Sequence, residues 1–550
     1  MGVTSTSPLP IPSPAYQHYA RAMADRRSDA SLKPLWRATV ALAVLLGGVV
    51  RLAPVLGVDF PLNDGGLYYL MTAELREEGY ALPAFTSYNA AGIPYAHPPL
   101  GFYLAGLVAD ATGSGLLDVV RVLPAVVSTL TIPVFFLLAR GLLGSSGAGA
   151  LATVAFALLP GTFSGFVMGG GLARAPGFLF ALLALHQARL MFTRPERRYV
   201  ATTAAAGAAA LMSHLESGWF AAYGAALLFL LYGRHRHGMT RTLAAGAGVV
   251  ALSAPWWATV LLRHGLQPLR AARPGEVATN STWLTTFNFT DEPQLTLFGV
   301  LGLVGLFVAL ADRRWLFPLW LGAIYLLDPR SPTMAAAVPL AMLVALALHR
   351  VVLPGIFRVA RTDGSMSTRV PRHANTYARI LAGALLACLT AYAFLGARRM
   401  RDVDAGFRPL GAEDRATLDW VARNTSPDAS ILVLTFEPES FEYHRLSEWM
   451  PALGRRATVA TVQGDEWLSG RDADRLSRRG DLRSCATRDI ACVEGWARAS
   501  GTQYSHVLLR KERCCSTLES SLRSSSAYRV VADRPDAVVF AHVAPATEVE

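Results

Sequence analysis

The sequence predicts an α-helical polytopic membrane protein of about eleven transmembrane helices, followed by a soluble α/β domain. Three observations carry that expectation. The 550 residues are 52% hydrophobic and only 17% charged, with a mean hydropathy of +0.32, whereas soluble domains carry roughly 25% charged residues. Apolar runs of spanning or near-spanning length recur between Trp36 and Leu395. From Arg398 onward Asp, Glu, Ser and Arg rise together, as in a soluble domain of ordinary size.

Residues 1–35 are expected to be a disordered cytoplasmic tail, because Met1 to Asp29 are rich in Pro, Ser, Ala and Arg and hold no apolar core. The first apolar run, Trp36–Leu56, is long enough to remain as a span rather than be cleaved as a signal. The others are Val119–Leu143, Ala148–Phe166, Ala175–Phe192, Val200–Met212, Trp219–Leu231, Leu243–Leu262, Gln294–Leu310, Trp315–Leu327, Thr333–Leu348 and Tyr377–Leu395. Val200–Met212 and Trp315–Leu327 need flanking residues to reach the ~20 that a helix requires.

The formal net charge is +11, with 51 Lys+Arg, nearly all of them Arg. These residues lie between apolar segments or in the tail, which favours membrane orientation and anionic headgroups over nucleic acid. One further run, Leu100–Ala111, decides the topology. If it is interfacial or re-entrant, five basic clusters fall on the cytoplasmic side: Arg26/Arg27/Arg37, Arg194/Arg197/Arg198, Arg234/Arg236/Arg241, Arg313/Arg314 and the Arg350–Arg379 linker. The loops Asp59–Tyr103, Gly169–Arg174, His214–Ser217, Arg263–Pro293 and Asp328–Pro332 then lie outside, with everything after Arg398. The expected divisions are a membrane domain over 36–397, with a first outside loop at 58–104, and an extracytoplasmic domain over 398–550. The N-terminus is then cytoplasmic in a multi-pass plasma-membrane protein.

In the tail, Glu413–Asn424 has helical spacing. Ser430–Thr435, Tyr504–Arg510, Tyr528–Ala532 and Ala537–Ala541 read as strands, the last two joined by a D-R-P-D turn. Four of the five cysteines, Cys485, Cys492, Cys514 and Cys515, fall in this domain. One or two disulfides are expected there, with a zinc site or free thiols as the alternatives. Cys388 lies in the last span.

The polar outside loops hold the candidate chemistry. Asp64, in N-D-G-G-L-Y-Y, can accept a proton from an acceptor hydroxyl, and Gly65 and Gly66 allow a close backbone approach. The same residues suit an Asx-type turn or an N-cap for Leu67–Arg76. Asp59 is the second acidic candidate, with a solvated turn as its alternative. His97, before Pro98-Pro99, sits where a helix N-terminus favours phosphate, or where a capping histidine belongs. Tyr68 shortly follows Asp64, and Tyr88, Tyr95 and Tyr103 suit sugar stacking or an aromatic belt. Arg174 and Arg330, at outside ends of spans, suit a forked phosphate clamp or snorkelling to headgroups. His214 and Glu216 form an ionisable pair at a span end, which marks a site unless they merely end a helix.

Taken together, Asp64 soon after span one, the nearby Tyr, G-x-P-Y-x-H-P-P-L-G and R-x-L-P-A-V-x-S-T-L-T-I-P resemble the GT-C superfamily of glycosyltransferases. The nearest likeness is to protein O-mannosyltransferases and lipid A aminoarabinose transferases. The resemblance covers Trp36 to about Leu348. In the tail, L-D-W-V-A-R-N-T-S-P-D-A-S-I-L-V-L-T and S-E-W-M-P-A-L-G-R-R are similar to outside domains of bacterial members. It implies sugar transfer from a polyprenyl-phosphate donor to a glycan, lipid or protein acceptor outside the cytoplasm, usually with inversion. The family's loop-one aspartate maps to Asp64. Members often show Asp-Glu there; this chain has Asp-Gly, so a second acidic role falls to another residue, with Asp59, Glu74, Asp291 and Glu292 as candidates. Some members use a divalent metal and others do not, so no cofactor is fixed. The expected function is a membrane glycosyltransferase with Asp64 as general base. The alternatives are a lipid or solute transporter or flippase, which requires ionisable groups deep within spans, and a membrane-anchored carbohydrate-binding protein.

Overall fold

A computed structural model describes residues 33–271, 296–327, 332–362, 372–403, 405–435, 445–459, 461, 463–468, 482, 484–511 and 515–543. Its membrane part begins with α1 (Lys33–Leu56), which leads through a turn to α2 (Gly66–Glu77). A two-stranded hairpin, β1 (Phe85–Thr86) with β2 (Ile93–Pro94), precedes α3 (Leu100–Thr112). The bundle continues with α4 (Leu116–Leu143), α5 (Ser146–Leu158), α6 (Gly171–Thr193), α7 (Arg198–Ser213), α8 (Leu215–Leu228) and α9 (Arg236–His264). Then come α10 (Leu297–Ala311), α11 (Leu316–Leu327), α12 (Pro332–Ala347), α13 (Leu353–Thr362) and α14 (Arg372–Val403).

Each of the eleven expected apolar segments is helical, but the helices are not eleven plain spans. Among the described residues seven are long and apolar enough to cross a membrane, or eight if one bent pair counts as a span. That pair corrects the expected span Ala148–Phe166. α5 stops at Leu158, and Pro160–Phe166 continues at 87° to it. Pro160 removes a backbone donor and Leu159 is extended, so the α-helix cannot run on. Backbone freed from a helix at membrane depth needs a partner inside the protein. Arg51 of α1 supplies it. Its fully buried guanidinium donates to the Ala157 carbonyl at 2.7 Å, the Thr162 carbonyl at 3.2 Å and Thr162 Oγ1 at 2.9 Å. Its Nε donates to Ser128 of α4 at 3.0 Å. One side chain thereby holds α1, α4 and the break in one geometry.

Helix α3 spans 13 residues, about 20 Å at 1.5 Å per residue, too short to cross. It packs under α2 and against the start of α6, where Gly101 lies so close to the Leu172 carbonyl that a Cβ would collide with it. The far end of α9 braces the same loop. Trp256 Nε1 donates to the Ala96 carbonyl at 3.2 Å, and Arg263 to the carbonyls of Leu82 and Pro83 at 2.6 and 3.0 Å.

The tail is an α/β domain with α15 (Ala412–Asn424), β3 (Ser430–Leu434), α16 (Arg445–Trp449), β4 (Ala457–Thr458), α17 (Ile490–Ser500), β5 (His506–Arg510), α18 (Ser516–Ser524), β6 (Tyr528–Asp533) and β7 (Ala537–His542). The sheet order is β4-β3-β5-β7-β6, parallel among the first three and antiparallel beyond. Side-chain alternation splits each central strand between two cores. Leu432, Leu434, Val507, Leu509, Val538 and Phe540 pack with α17 and α18. Ile431, Val433, Leu508 and Val539 pack with α15, Trp449 and, from the membrane part, Phe60. Burial on both faces explains why S-I-L-V-L is unbroken apolar. Cys485 and Cys492 form a disulfide, and Cys515 is buried; Cys514 lies outside the described residues.

Candidate active site

The site is built where two glycine turns interlock. One is Asn63–Gly66, between α1 and α2. The other is Gly169–Gly171, delivered to the same place by the broken segment after α5. Gly65 has φ +123°, in the region that favours glycine, and a Cβ there would lie 2.9 Å from Gly169 Cα. A Cβ on Gly169 would collide with the Asp64 carbonyl, and one on Gly170 with the Asp64 carboxylate and the Arg174 guanidinium. Glycine at these positions is therefore a packing requirement.

The interlock puts the Asp64 carboxylate at the N-terminus of α6. Oδ1 accepts from the Gly170 N–H at 2.7 Å, and Oδ2 from Arg174 Nη2 at 2.5 Å. Arg174 Nη1 donates to the Gly165 carbonyl at 3.0 Å. Helix dipole, amide and guanidinium all favour an anion here. Each carboxylate oxygen has two lone-pair directions, so acceptor capacity remains beyond these bonds.

A second carboxylate arrives from the tail. Glu448 of α16 is buried. Its Oε1 accepts from the N–H groups of Gly65 and Gly66 at 2.7 and 3.1 Å, capping α2. Burial, then the neighbouring Asp64 charge, pushes the Glu448 carboxyl up to about 8. The next residue, Trp449, is also buried. Its Nε1 donates to the Asn63 carbonyl at 3.2 Å, and its ring meets Phe60 edge-on at 4.6 Å. Tyr88 donates its hydroxyl to the Glu448 carbonyl at 2.7 Å. Glu448 thus places a second carboxyl at the turn, nearly four hundred residues from Asp64 in sequence and not among the four acidic candidates read from the sequence. Within S-E-W-M-P-A-L-G-R-R, the glutamate beside a tryptophan was the available signal.

Behind Asp64, Tyr68 and His97 face each other, with the hydroxyl 3.2 Å from Nε2. The His97 ring is boxed by Tyr68, Phe102 and Trp467. Burial pulls its pKa down to about 3, so the ring is neutral and offers a hydrogen bond rather than positive charge. Burial likewise raises the Tyr68 hydroxyl, keeping it a donor at neutral pH. On the other side of Arg174, a small cavity of about 30 Å³ is lined by Phe166, Arg174, His214, Glu216, Ser217 and Met334 among others. Leu215, between the ionisable pair, also lines a long apolar groove of about 500 Å³ between α6, α7, α8 and α9.

Of the residues singled out from sequence, Asp64, Tyr68, His97, Arg174, His214 and Glu216 therefore gather here. Asp59 does not. Its carboxylate is largely exposed and accepts from Arg415 of the tail at 2.7 Å, an ion pair between domains, which holds its pKa below the usual range. Tyr95 is buried with its hydroxyl on the Met71 carbonyl at 2.7 Å, a structural bond. Arg330 lies outside the described residues, as do Asp291, Glu292 and most of the Arg263–Pro293 loop. Glu74 is occupied by the N–H and hydroxyl of Ser87 at 2.7 and 2.6 Å. Among the described residues no group of three or more His, Cys, Asp or Glu is placed to hold a metal.

No family model and no curated protein matches the chain. Solved structures do. ArnT from Cupriavidus metallidurans in the apo state superposes with a TM-score of 0.56 at 16% identity, over 92% of this chain and 98% of that one; it has also been solved bound to undecaprenyl phosphate. The oligosaccharyltransferase AglB from Archaeoglobus fulgidus, in complex with an inhibitory peptide and a dolichol-phosphate, gives 0.55 at 15%, over 87% and 69%. The arabinofuranosyltransferase AftD from Mycobacteria gives 0.54 at 17%, over 93% and 40%. The chain has the GT-C fold with a C-terminal α/β domain, as the sequence motifs implied.

Proposed function

We propose that this protein is an integral-membrane glycosyltransferase. It moves a sugar from a polyprenyl-phosphate donor to an extracytoplasmic acceptor hydroxyl, and Asp64 is the general base. The observation that carries the reading is the Asp64–Arg174 pair at the N-terminus of α6, beside a cavity lined by Arg174, His214 and Glu216. The apolar groove favours the same reading. It runs along α8 from Leu215 to Ala226, about 16 Å of helix, and offers almost only aliphatic, small and aromatic lining, which suits an isoprenoid tail. The neighbours solved with dolichol-phosphate and undecaprenyl phosphate fit that ligand class.

In this mechanism the acceptor O–H gives its proton to an Asp64 oxygen as its own oxygen bonds to the anomeric carbon. The bond from that carbon to the phosphate oxygen breaks, and the phosphate leaves with the electron pair. Arg174 orients the carboxylate, and its charge at the edge of the adjacent cavity stabilises the negative charge that develops on the leaving phosphate. Asp64, the first outside loop and the tail lie on the extracytoplasmic face. Protein, glycan and lipid acceptors all present the required hydroxyl.

The test is transfer of radiolabelled sugar from polyprenyl-phosphate donor in membranes. Asp64→Asn should lower the rate on the order of a hundredfold or more while insertion and thermal stability stay close to the parent. Undiminished transfer by a folded Asp64→Asn protein would overturn the assignment.

A further inference from the structure

We propose that the membrane domain holds a second anion site, for a phosphate ester, at the end of the helix bundle opposite Asp64. A cavity of about 420 Å³ lies where α4 ends, α5 begins and α6 ends, and its lining includes Arg140, Arg189, Arg194, His186, Ser145 and Ser146. Cavities that bind small ligands run from roughly 300 Å³ upward. Arg189 follows Arg174 by fifteen residues on α6, which separates the two sites by about 22 Å along the helix.

Charge and geometry both select a phosphate. No carboxylate lines the cavity. None of the ion pairs among the described residues involves Arg140, Arg189 or Arg194. Arg189 Nε is buried without a hydrogen-bond partner, an expensive condition for a charged donor that a bound anion relieves. Gly141 makes room for this guanidinium, since a Cβ there would stand 2.8 Å from Arg189 Nη1. Ser145 caps α5 by accepting the Ala148 N–H at 3.3 Å, and Ser146 opens the helix beside the arginines, adding its N-terminal dipole. Three guanidinium groups with forked donors match a phosphodiester or phosphomonoester better than a monovalent halide. This end of the bundle carries the basic clusters, at the level of lipid headgroups, so the phosphate has two sources: an anionic phospholipid of that leaflet, or a free phosphate from solution.

The test uses the full-length protein in an uncharged detergent. Thermal unfolding is followed while phosphatidylglycerol, phosphatidylcholine or inorganic phosphate is added at constant ionic strength. A ligand that binds only the folded state raises the midpoint with concentration. A rise of several degrees with phosphatidylglycerol, exceeding that with phosphatidylcholine, identifies a lipid phosphate; a rise with inorganic phosphate identifies a free one. Arg189→Ala should weaken the response by about tenfold or more in ligand concentration. Ser146→Glu decides the matter if Arg189→Ala fails to fold, because an acidic residue suits the first turn of α5 and places a competing carboxylate against the arginines. It should abolish the response while leaving the ligand-free midpoint near that of the parent. A parent that responds to neither anion, or equally to both lipids, overturns the site, as does a Ser146→Glu protein that responds like the parent.

Discussion

Glu448 is a carboxylic acid used as a hinge pin. Its oxygen terminates the N–H groups of Gly65 and Gly66, so the turn that aims Asp64 is held by a residue of another domain. Its folded pKa of about 8 stands above the ordinary carboxyl value of 4.5. The folded protein therefore keeps a proton that the unfolded chain has lost across that window, and stability falls as pH rises through it. Glu448→Gln keeps an acceptor oxygen and cannot titrate. Unfolding midpoints measured from about pH 5 to about pH 8 should fall more steeply, or rise less, with pH for the parent than for Glu448→Gln, since the opposite slope from buried His97 below about pH 6.5 is common to both. Glu448→Ala removes the acceptor and should cost about 1–3 kcal/mol at any pH in the range. Gly169→Ala probes the same contact from the opposite turn. Its Cβ would collide with the Asp64 carbonyl, so transfer should fall steeply. Measuring expression and insertion alongside separates a displaced Asp64 from a failure to fold.

At the scale of elements, the break after α5 brings Gly169–Gly171 to the site, and Arg51 keeps the break in place. Arg51→Leu deletes the donors to Ala157, Thr162 and Ser128, leaving buried carbonyls unsatisfied, and should cost on the order of 3 kcal/mol. Arg51→Lys retains charge but lacks the fork, so it should recover only part of that loss. Thermal unfolding in detergent reads both. This element also shows what could be read from sequence. Periodicity and length placed every apolar segment, and the Gly169–Arg174 loop was recognised as polar. The run Ala148–Phe166 nevertheless passes any hydropathy criterion for a span. Pro160 is the local mark of the break; what holds the bend, a guanidinium from a helix about a hundred residues earlier, is a tertiary contact with no local signature. In the tail, by contrast, the strands and the D-R-P-D turn fall where alternation and turn chemistry put them, because those signals are local.

On the scale of the whole molecule, the membrane domain alone does not complete the site. Asp64 and Arg174 belong to it, yet the Asp64 turn is covered by Glu448 and Trp449 of the tail, and His97 behind it by Trp467. Asn63 N–H donates to the Arg408 carbonyl at 3.0 Å, and Leu62 bridges to Pro409, so the docking is continuous with the chain's return from α14. The first loop and the tail should therefore act as one folding unit. Trp449→Ala removes a fully buried indole and its bond to Asn63, a loss of about 3–5 kcal/mol in a packed core. If the tail only decorates the enzyme, that variant will gain protease sensitivity in residues 405–543 and keep its transfer rate. If the tail holds the Asp64 turn in place, protease sensitivity and loss of transfer will appear together, and Asp59→Asn, which removes only the charge of the exposed partner of Arg415 and leaves Arg415 over the Phe60 ring, will show neither to any great extent, since pairs with an exposed partner are worth about 1 kcal/mol or less. The interlocking of Glu448 with both glycines of the turn favours the second outcome. Limited proteolysis and a transfer assay on the same three preparations decide between them.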